Sequence, residues 1–285
     1  RAGAIAARDE AEQICRKHAV SGLARYVYRD HISAAIAFQA HDPSTAELDI
    51  RRIQALLNPD RWLERGWACW VNSIIAAMRD EWALALEFAQ RELEILSQGG
   101  TVFHLYYAHL HIASALIGLR RYAEAHAAIE AARAVVVDSF EFRNLADVDL
   151  MAAWLALQQS DTQRFDQQVR DAFALLKRTE MHACLWYVDP RILPAILARA
   201  LEREVALQQV REYIRHLDLR APPDAGAKWP WPLKIFVLGR FRSVWRRPGA
   251  IRPNASRLSS KGCATTHRWS PRANRRRNRS RCSSC

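Results

Sequence analysis

The chain has 285 residues, of which half are hydrophobic and a quarter are charged, a globular composition that fits one or two domains. Ten glycines and eleven prolines exclude a collagen-like or low-complexity protein, and no run of about 18 uncharged apolar residues occurs that could span a membrane. The net charge of +12 is unevenly placed: residues 240–285 hold 14 Lys or Arg and no acid, whereas residues 1–239 hold 28 basic and 30 acidic residues. A basic charge that would suggest a nucleic-acid partner therefore belongs to the C-terminal tail alone.

The N-terminal end and the cysteines indicate a fragment of a cytoplasmic protein. The sequence begins with Arg1 rather than Met, and it lacks the charged, apolar and small-residue leader of a secreted protein. Cys15, Cys69 and Cys184 each lie alone in apolar, helix-like sequence, which predicts buried free thiols and a reducing compartment. We therefore expect a partial gene product that is located in the cytoplasm.

Taken in chain order, the sequence predicts alternating inner and covering helices. Residues 1–60 indicate one or two helix pairs with weak periodicity. Inner helices, with apolar residues on two adjacent faces, are predicted at 67–78, 102–119, 145–157 and 192–201. Covering helices with a single apolar stripe start near Trp82, Tyr122, Phe165 and Val205, at intervals of 40, 43 and 40 residues. Two helices in each period of about 40 residues predict an all-α solenoid of helical hairpins, because one hairpin alone cannot bury its apolar face.

One of these units carries the most specific local pattern. Within residues 113–132, a small residue, a loop, an aromatic residue, Glu-Ala and further small residues follow in order. This pattern resembles a tetratricopeptide repeat, although the units near 82 and 165 match it less well and Glu92 departs from its small-residue positions. Small residues would let the helices approach closely, and the aromatic residue would fill the gap at the turn. The residues expected to pack the repeats are Trp82, Ala85, Ala113, Tyr122, Ala125, Ala132 and Phe165.

The sequence changes character after Leu219. Residues 221–232 form a Pro-rich linker by composition, with the tetrapeptide WPWP at 229–232. Residues 235–238 and 241–244 indicate two short strands joined by a turn. From residue 245 onward no periodicity remains, and we expect a disordered, Arg-rich tail.

The junction between helices and strands resembles a known family. Residues 200–215, LRAPP at 219–223 and WPWPLKIFVLGRF at 229–241 are similar to large bacterial transcriptional activators of the maltose-regulon-activator type and to regulators with a bacterial transcriptional activator domain. The resemblance implies that a nucleoside-triphosphatase module precedes the helical repeats and that a response-regulator-like winged helix follows them. The implied domain map is a tetratricopeptide-like domain at 1–220, a linker at 221–232, a truncated winged helix at 233–244 and the tail at 245–285.

The tail matches no part of that family, whose winged helix would continue with further strands and a recognition helix. We expect that the tail is coding sequence translated out of frame. The alternative is a genuine tail whose Arg cluster at 275–281 binds phosphate nonspecifically. A zinc site could be drawn from Cys263, His267, Cys282 and Cys285, but almost no apolar residues lie between them to pack around a metal. We therefore expect no metal and no cofactor, and no DNA-contacting residue can be assigned.

Signatures of an enzyme are missing from the sequence. No phosphate-binding G-x-x-x-x-G-K-[ST] loop, nucleophile elbow or His-Glu-x-x-His motif occurs, so we expect no catalytic residue. His104, His109 and His111 share one helix without the i, i+3 or i, i+4 spacing of a metal site. We expect His104, Tyr107 and His111 to line a groove instead.

Two functional hypotheses remain open, and neither involves a membrane. In the first, the chain is a fragment of a bacterial transcriptional regulator: its concave helical surface binds a protein partner or a small-molecule inducer and controls a winged helix that contacts DNA. In the second, it is a stand-alone tetratricopeptide scaffold with no role at DNA. The sequence at 229–241 favours the first hypothesis, since a plain scaffold does not need such an ending.

Overall fold

The computed structural model describes most of the helical part of the chain and its C-terminal connection. It covers residues 62–99, 101–139, 144–179, 185, 187–217 and 219–231, the backbone of 233–236 and 242–245, and a few isolated positions before residue 61. The helix pairs predicted within 1–60, the zinc alternative, Cys15, Cys184 and the tail beyond residue 245 lie outside the described residues.

Within the described residues 62–217, eight helices pack in consecutive pairs. They are α1 (Trp62–Met78), α2 (Trp82–Leu96), α3 (Val102–Gly118), α4 (Tyr122–Asp138), α5 (Leu145–Gln158), α6 (Thr162–Thr179), α7 (Ile192–Glu202) and α8 (Leu207–Leu217). Each odd-numbered helix packs against the helix that follows it, and α1, α3, α5 and α7 also contact one another in series. The prediction of an all-α fold for the body of the chain is confirmed.

The same turn closes all four helix pairs. Each turn contains a residue with a left-handed backbone and φ of 59–61°, namely Asp80, Arg120, Ser160 and Glu204, and the last turn has a second one, Ala206, with φ of 45°. The N–H of the residue with φ of 59–61° bonds to the carbonyl three residues back, and the next N–H reaches five residues back, as from Glu81 to Ala76 at 2.9 Å. This is the Schellman arrangement, which satisfies the last carbonyls of a helix, here without a glycine. Because the left-handed residues recur after 40, 40 and 44 residues, the sequence period corresponds to a repeated structural unit.

The residues expected to pack the repeats lie in the core or against it. Ala85, Ala113, Ala125, Ala132 and Phe165 are at most 1% exposed, and Trp82 and Tyr122 are half-buried at the edge of the same core. Gly118 shows why small residues are needed here, because a Cβ at this position would overlap the ring of Trp82. The indole can therefore lie directly on the end of α3.

Two helix boundaries differ from the sequence prediction. α1 begins at Trp62 rather than at 67, and it contains Gly66, where a side chain would collide with Leu96. α8 begins at Leu207, whereas Val205, expected at the start of this covering helix, is buried in the turn before it. Val205 follows the left-handed residue of its turn, and a Schellman turn commonly buries an apolar side chain at that position. Apolar periodicity alone therefore counted a turn residue as helical.

The connection after α8 packs on the last helix pair. Trp229 is 3% exposed, and the Lys228 ammonium donates to the Glu202 carbonyl at 3.0 Å and to the Glu204 carboxylate at 2.8 Å. Both acceptors belong to the end of α7 and the turn before α8. The Pro-rich segment is therefore attached to the helices at this point.

Two short strands follow this connection. β1 (Leu233–Phe236) and β2 (Arg242–Trp245) pair antiparallel, with Leu233 opposite Trp245 and Phe236 opposite Arg242. Of the helices in the described part of the chain, none is long and apolar enough to cross a membrane.

Candidate functional site

The first candidate site is an aromatic cluster on the inner helices that a non-helical segment covers. Trp70 of α1 and Phe103 and Tyr107 of α3 surround Tyr187, with ring centroids 5.2, 5.4 and 5.3 Å from its own. Tyr106 joins the cluster at 4.5 Å from Tyr107. The inner helices supply these rings because they carry apolar residues on two adjacent faces. We call residues 185 and 187–191, which include Tyr187, the strap.

A buried Glu–His pair lies beside this cluster. His111 Nδ1 is 2.8 Å from Glu92 Oε2, and both side chains are at most 3% exposed. His111 Nε2 donates to the carbonyl of Tyr187, which also accepts a bond from Trp70 Nε1 at 2.9 Å. Because a carbonyl can only accept, Nε2 carries a proton, and any second proton is shared between Nδ1 and Glu92. Burial raises the pKa of Glu92, and the neighbouring His111 opposes that rise only in part.

Asp147 of α5 accepts three hydrogen bonds beneath the strap. Its Oδ2 accepts from the hydroxyls of Tyr106 and Tyr107, each at 3.1 Å, and its Oδ1 accepts from the Leu185 N–H at 2.6 Å. The residue is 2% exposed. A carboxylate so far from water is stable only where hydrogen bonds replace its hydration. Asp147 thus joins α3, α5 and the strap.

Arg191 attaches the other end of the strap. Its guanidinium bonds to Asp189 at 2.7 Å, to Asp80 at 3.0 Å and to the carbonyl of Ala77, and it lies 5.6 Å from the ring centroid of Trp82. Asp189 is 3% exposed and depends on this guanidinium for compensation of its charge. Since Asp80 and Trp82 belong to the turn and the helix that follow α1, the strap is bonded to the first hairpin as well.

The three groove candidates lie along one helix, and two of them are covered. Tyr107 and His111 are 5% and 3% exposed, beneath Tyr187 of the strap. His104 is half-buried and accepts a bond from Trp67 Nε1 at 3.2 Å. Burial lowers the pKa of His104. The strap therefore occupies part of the surface that we expected to form an open groove.

Sequence reasoning did not identify Glu92, Asp147 and Tyr187 as parts of this site. A signal exists for Glu92, which occupies the position that Ala132 and Ala172 hold in the next two covering helices, one and two periods later. An acid in place of a core alanine predicts a buried partner. Asp147 gives a weaker signal of the same kind, as an acid within an apolar inner helix. Tyr187 gives none, because it lies outside any periodic segment.

The polar side chains of this arrangement are engaged in holding the strap. Both ring nitrogens of His111 and both carboxylate oxygens of Asp147 are engaged in hydrogen bonds. Cys69 is a buried free cysteine, and burial raises the pKa of its thiol, which disfavours the nucleophilic thiolate. Among the described residues, no group of three or more His, Cys, Asp or Glu is placed to hold a metal ion.

The second candidate site is an open cleft of about 650 Å³ at the turns of the hairpins. Trp82, Tyr122 and Trp154 contribute aromatic surface from three different helices, and each is half-buried. The turn residue Arg120, Arg220 and the linker residues 221–224 form other parts of the wall. The cleft therefore combines aromatic surface, the arginines Arg120, Arg191 and Arg220, and the connection that leads to the strands.

No protein-family model matches this sequence, and no curated protein matches it. Function therefore has to be inferred from the fold and from the geometry of these residues.

Proposed function

We propose that this chain is the helical-repeat regulatory region of a bacterial transcriptional regulator. Residues 1–220 form a tetratricopeptide-like solenoid that binds a protein partner or a small-molecule inducer. Residues 233–244 begin a winged helix, incomplete here, that contacts DNA in the full-length protein. The region acts in the cytoplasm and performs no catalysis of its own.

The repeated helix pairs support the solenoid part of this proposal. In each of four pairs the same left-handed turn joins the two helices, and the inner helices contact one another in series. Stacked units of this kind bury the faces that a single hairpin leaves exposed, and they create extended surfaces for binding. The four described pairs exceed the three units that such arrays need for stability.

The observation that carries the proposal is the firm attachment of the linker to the last helix pair. Buried Trp229 and the bonds from Lys228 to Glu202 and Glu204 hold this part of the linker against the end of α7 and the following turn. A flexible tether would isolate the strands from events in the helices. A packed connection can instead pass a change in helix arrangement to the segment that follows it.

The partly exposed end of the aromatic cluster supports a binding role. Phe103 is 41% exposed, although its ring contacts Tyr107 and Tyr187 at 5.0 and 5.4 Å. A large aromatic side chain at the edge of a buried cluster is well placed to be covered by a partner, since such residues dominate the energetics of interfaces.

The coding sequence on both sides of this chain provides the first test. An upstream phosphate-loop nucleoside-triphosphatase module and a downstream winged helix in a shifted frame would support the proposal. A start codon and a stop codon directly at the two ends would favour the stand-alone tetratricopeptide scaffold instead.

A functional test uses the full-length protein that the gene encodes once the upstream module and the downstream winged helix are joined to this chain in one reading frame. In a reporter assay on its own promoter, Lys228→Ala should reduce activation while DNA binding and far-UV circular dichroism stay unchanged, because the change removes the bonds from the linker to the α7–α8 turn. Lys177→Ala, on the exposed face of α6, is the matched control and should activate normally. Equal activation by both variants would contradict a regulatory role for the packed linker.

A further inference from the structure

We propose that the cleft beside Arg120 binds a small molecule that carries an aromatic ring and an anionic group, and that binding strengthens the packing of the linker. This inference deepens the proposed function. The effect on the linker rests on that proposed function, whereas ligand binding in the cleft does not. Three features of the cleft support this proposal: its aromatic surface, the arginines that line it and the linker residues that form one wall.

The aromatic surface of the cleft selects a flat ligand. Trp82, Tyr122 and Trp154 all line it, and none of them is fully covered by the protein. Apolar side chains of Ile117 and Ile192 add to the same wall. A cavity of about 650 Å³ lies within the ordinary range for small-molecule sites, and aromatic rings prefer to stack on other rings.

The charges on the walls favour an anionic group near Arg120. Three arginines and three aspartates line the cleft, and the guanidinium of Arg191 is already engaged by two of these carboxylates, Asp80 and Asp189. Arg220 lies on the linker wall and is exposed. Arg120 also lines the cleft and is exposed, and its guanidinium has no hydrogen-bond or ion-pair partner within the described part of the chain. Asp224, an acid on the linker wall, lies at the exposed rim. A carboxylate or phosphate can accept two parallel bonds from the Arg120 guanidinium.

The linker wall connects ligand binding to the proposed regulation. Arg220, Pro222 and Asp224 belong to the segment between α8 and the strands, whereas Arg120 and Trp154 belong to the helical hairpins. A ligand in the cleft touches both parts at once. Such a ligand binds the chain more tightly when the linker is packed than when it is detached. This difference in affinity sets how far binding shifts the chain toward the packed state.

Isothermal titration calorimetry of the full chain tests the site, with 2-naphthoate as the probe. We expect one site per chain and a dissociation constant of about 1 mM or tighter, as the size of the probe allows. The neutral isostere 2-naphthamide should bind about tenfold more weakly, because it cannot form a charge-assisted pair with Arg120.

Two variants and one control distinguish this cleft from other sites on the chain. Arg120→Gln should weaken 2-naphthoate about tenfold, and Trp154→Leu about fivefold, with folding checked by circular dichroism. Arg121→Gln is the control, because Arg121 is the next residue, pairs with Glu124 at 2.5 Å and does not line the cleft. Absence of 2-naphthoate binding, or equal binding by Arg120→Gln and Arg121→Gln, would overturn the inference.

Hydrogen exchange tests the effect on the linker. Saturating 2-naphthoate should slow exchange of the Ala225 and Trp229 amides at least threefold, because these N–H groups bond within the linker, to Pro222 and Gly226. Binding without any change at these amides would refute the regulatory part. Neither result alters what the flanking coding sequence shows, so failure here and failure of the proposed function can be told apart.

Discussion

Replacement of Asp147 should destabilise the protein more than the loss of one ordinary polar contact. In Asp147→Ala, the Tyr106 and Tyr107 hydroxyls and the Leu185 N–H all lose their common acceptor in a buried site. Each unsatisfied buried donor costs about 1–3 kcal/mol, and removal of a buried charge returns part of that cost. We expect the free energy of unfolding to fall by about 4 kcal/mol in Asp147→Ala. In Asp147→Asn, where one oxygen remains, we expect a fall of about 2 kcal/mol.

Urea denaturation followed by far-UV circular dichroism measures this loss, and Asp149→Asn provides a matched control. Asp149 lies two residues away on the same helix and is also buried, but it bonds to Arg133, whose side chain is 29% exposed. The freed guanidinium can therefore reach water, and burial already raises the pKa of Asp149 despite Arg133. We expect the control to lose less than about 1 kcal/mol.

A double-mutant cycle with Tyr107→Phe shows whether the hydrogen bonds are the cause. The phenylalanine removes one of the three donors, so Asp147→Asn should cost about 1 kcal/mol less in that background. The reasoning would be refuted by equal losses in Asp147→Asn and Asp149→Asn, or by a cycle without coupling. Either result would mean that the hydrogen bonds of Asp147 do not contribute to holding the strap.

Three further changes test the local geometry. Glu92→Gln should remove a pH-dependent part of the free energy of unfolding. Because the pKa of Glu92 is raised in the folded protein, its contribution to that free energy is complete below the unfolded-state pKa of about 4.3 and is lost as the pH rises through the folded-state pKa. Urea denaturation midpoints measured between pH 4 and 8 should therefore depend less on pH in the variant. Ser160→Gly should raise the free energy of unfolding by about 0.5–1 kcal/mol, because φ is 59° there, whereas Gln159→Gly, one residue earlier with φ of −87°, should lower it. Gly118→Ala should cost about 1–3 kcal/mol of stability and lower the thermal midpoint, because the new Cβ would overlap the indole ring of Trp82. The control Gly226→Ala should change the midpoint little, since, among the described residues, the only neighbour near its Cβ is a flexible Glu202 side-chain oxygen at 3.7 Å.

The helical hairpins could be predicted because their signal is local and repeated. Apolar residues on two faces mark α3, and a single stripe marks α4, so the alternation of inner and covering helices follows from spacing alone. The turns were harder to place. The left-handed residues Asp80, Arg120, Ser160 and Glu204 differ in chemistry, and none is the glycine that usually marks such a cap.

Only part of the first candidate site, Tyr107 and His111, could be predicted, because its other contacts join distant parts of the chain. Trp70 Nε1 and the Tyr187 carbonyl are 117 residues apart, and Asp147 and Leu185 are 38 apart. Periodicity describes which face of a helix is buried, but it does not say which non-helical segment covers that face. The surface on α3 that we expected to be open was therefore identified without its cover.

Departures from the repeat pattern occur where a segment without repeats is attached. Glu92 replaces a core alanine and pairs with His111, which in turn holds the Tyr187 carbonyl. Asp147 interrupts an apolar inner helix and holds Leu185. A simple stack of hairpins needs none of these groups, because apolar contacts stabilise it and buried polar groups are costly unless paired. These groups fix the strap in one position on the inner helices, and such a defined arrangement, which a bound effector can favour or oppose, is what the proposed regulatory role requires.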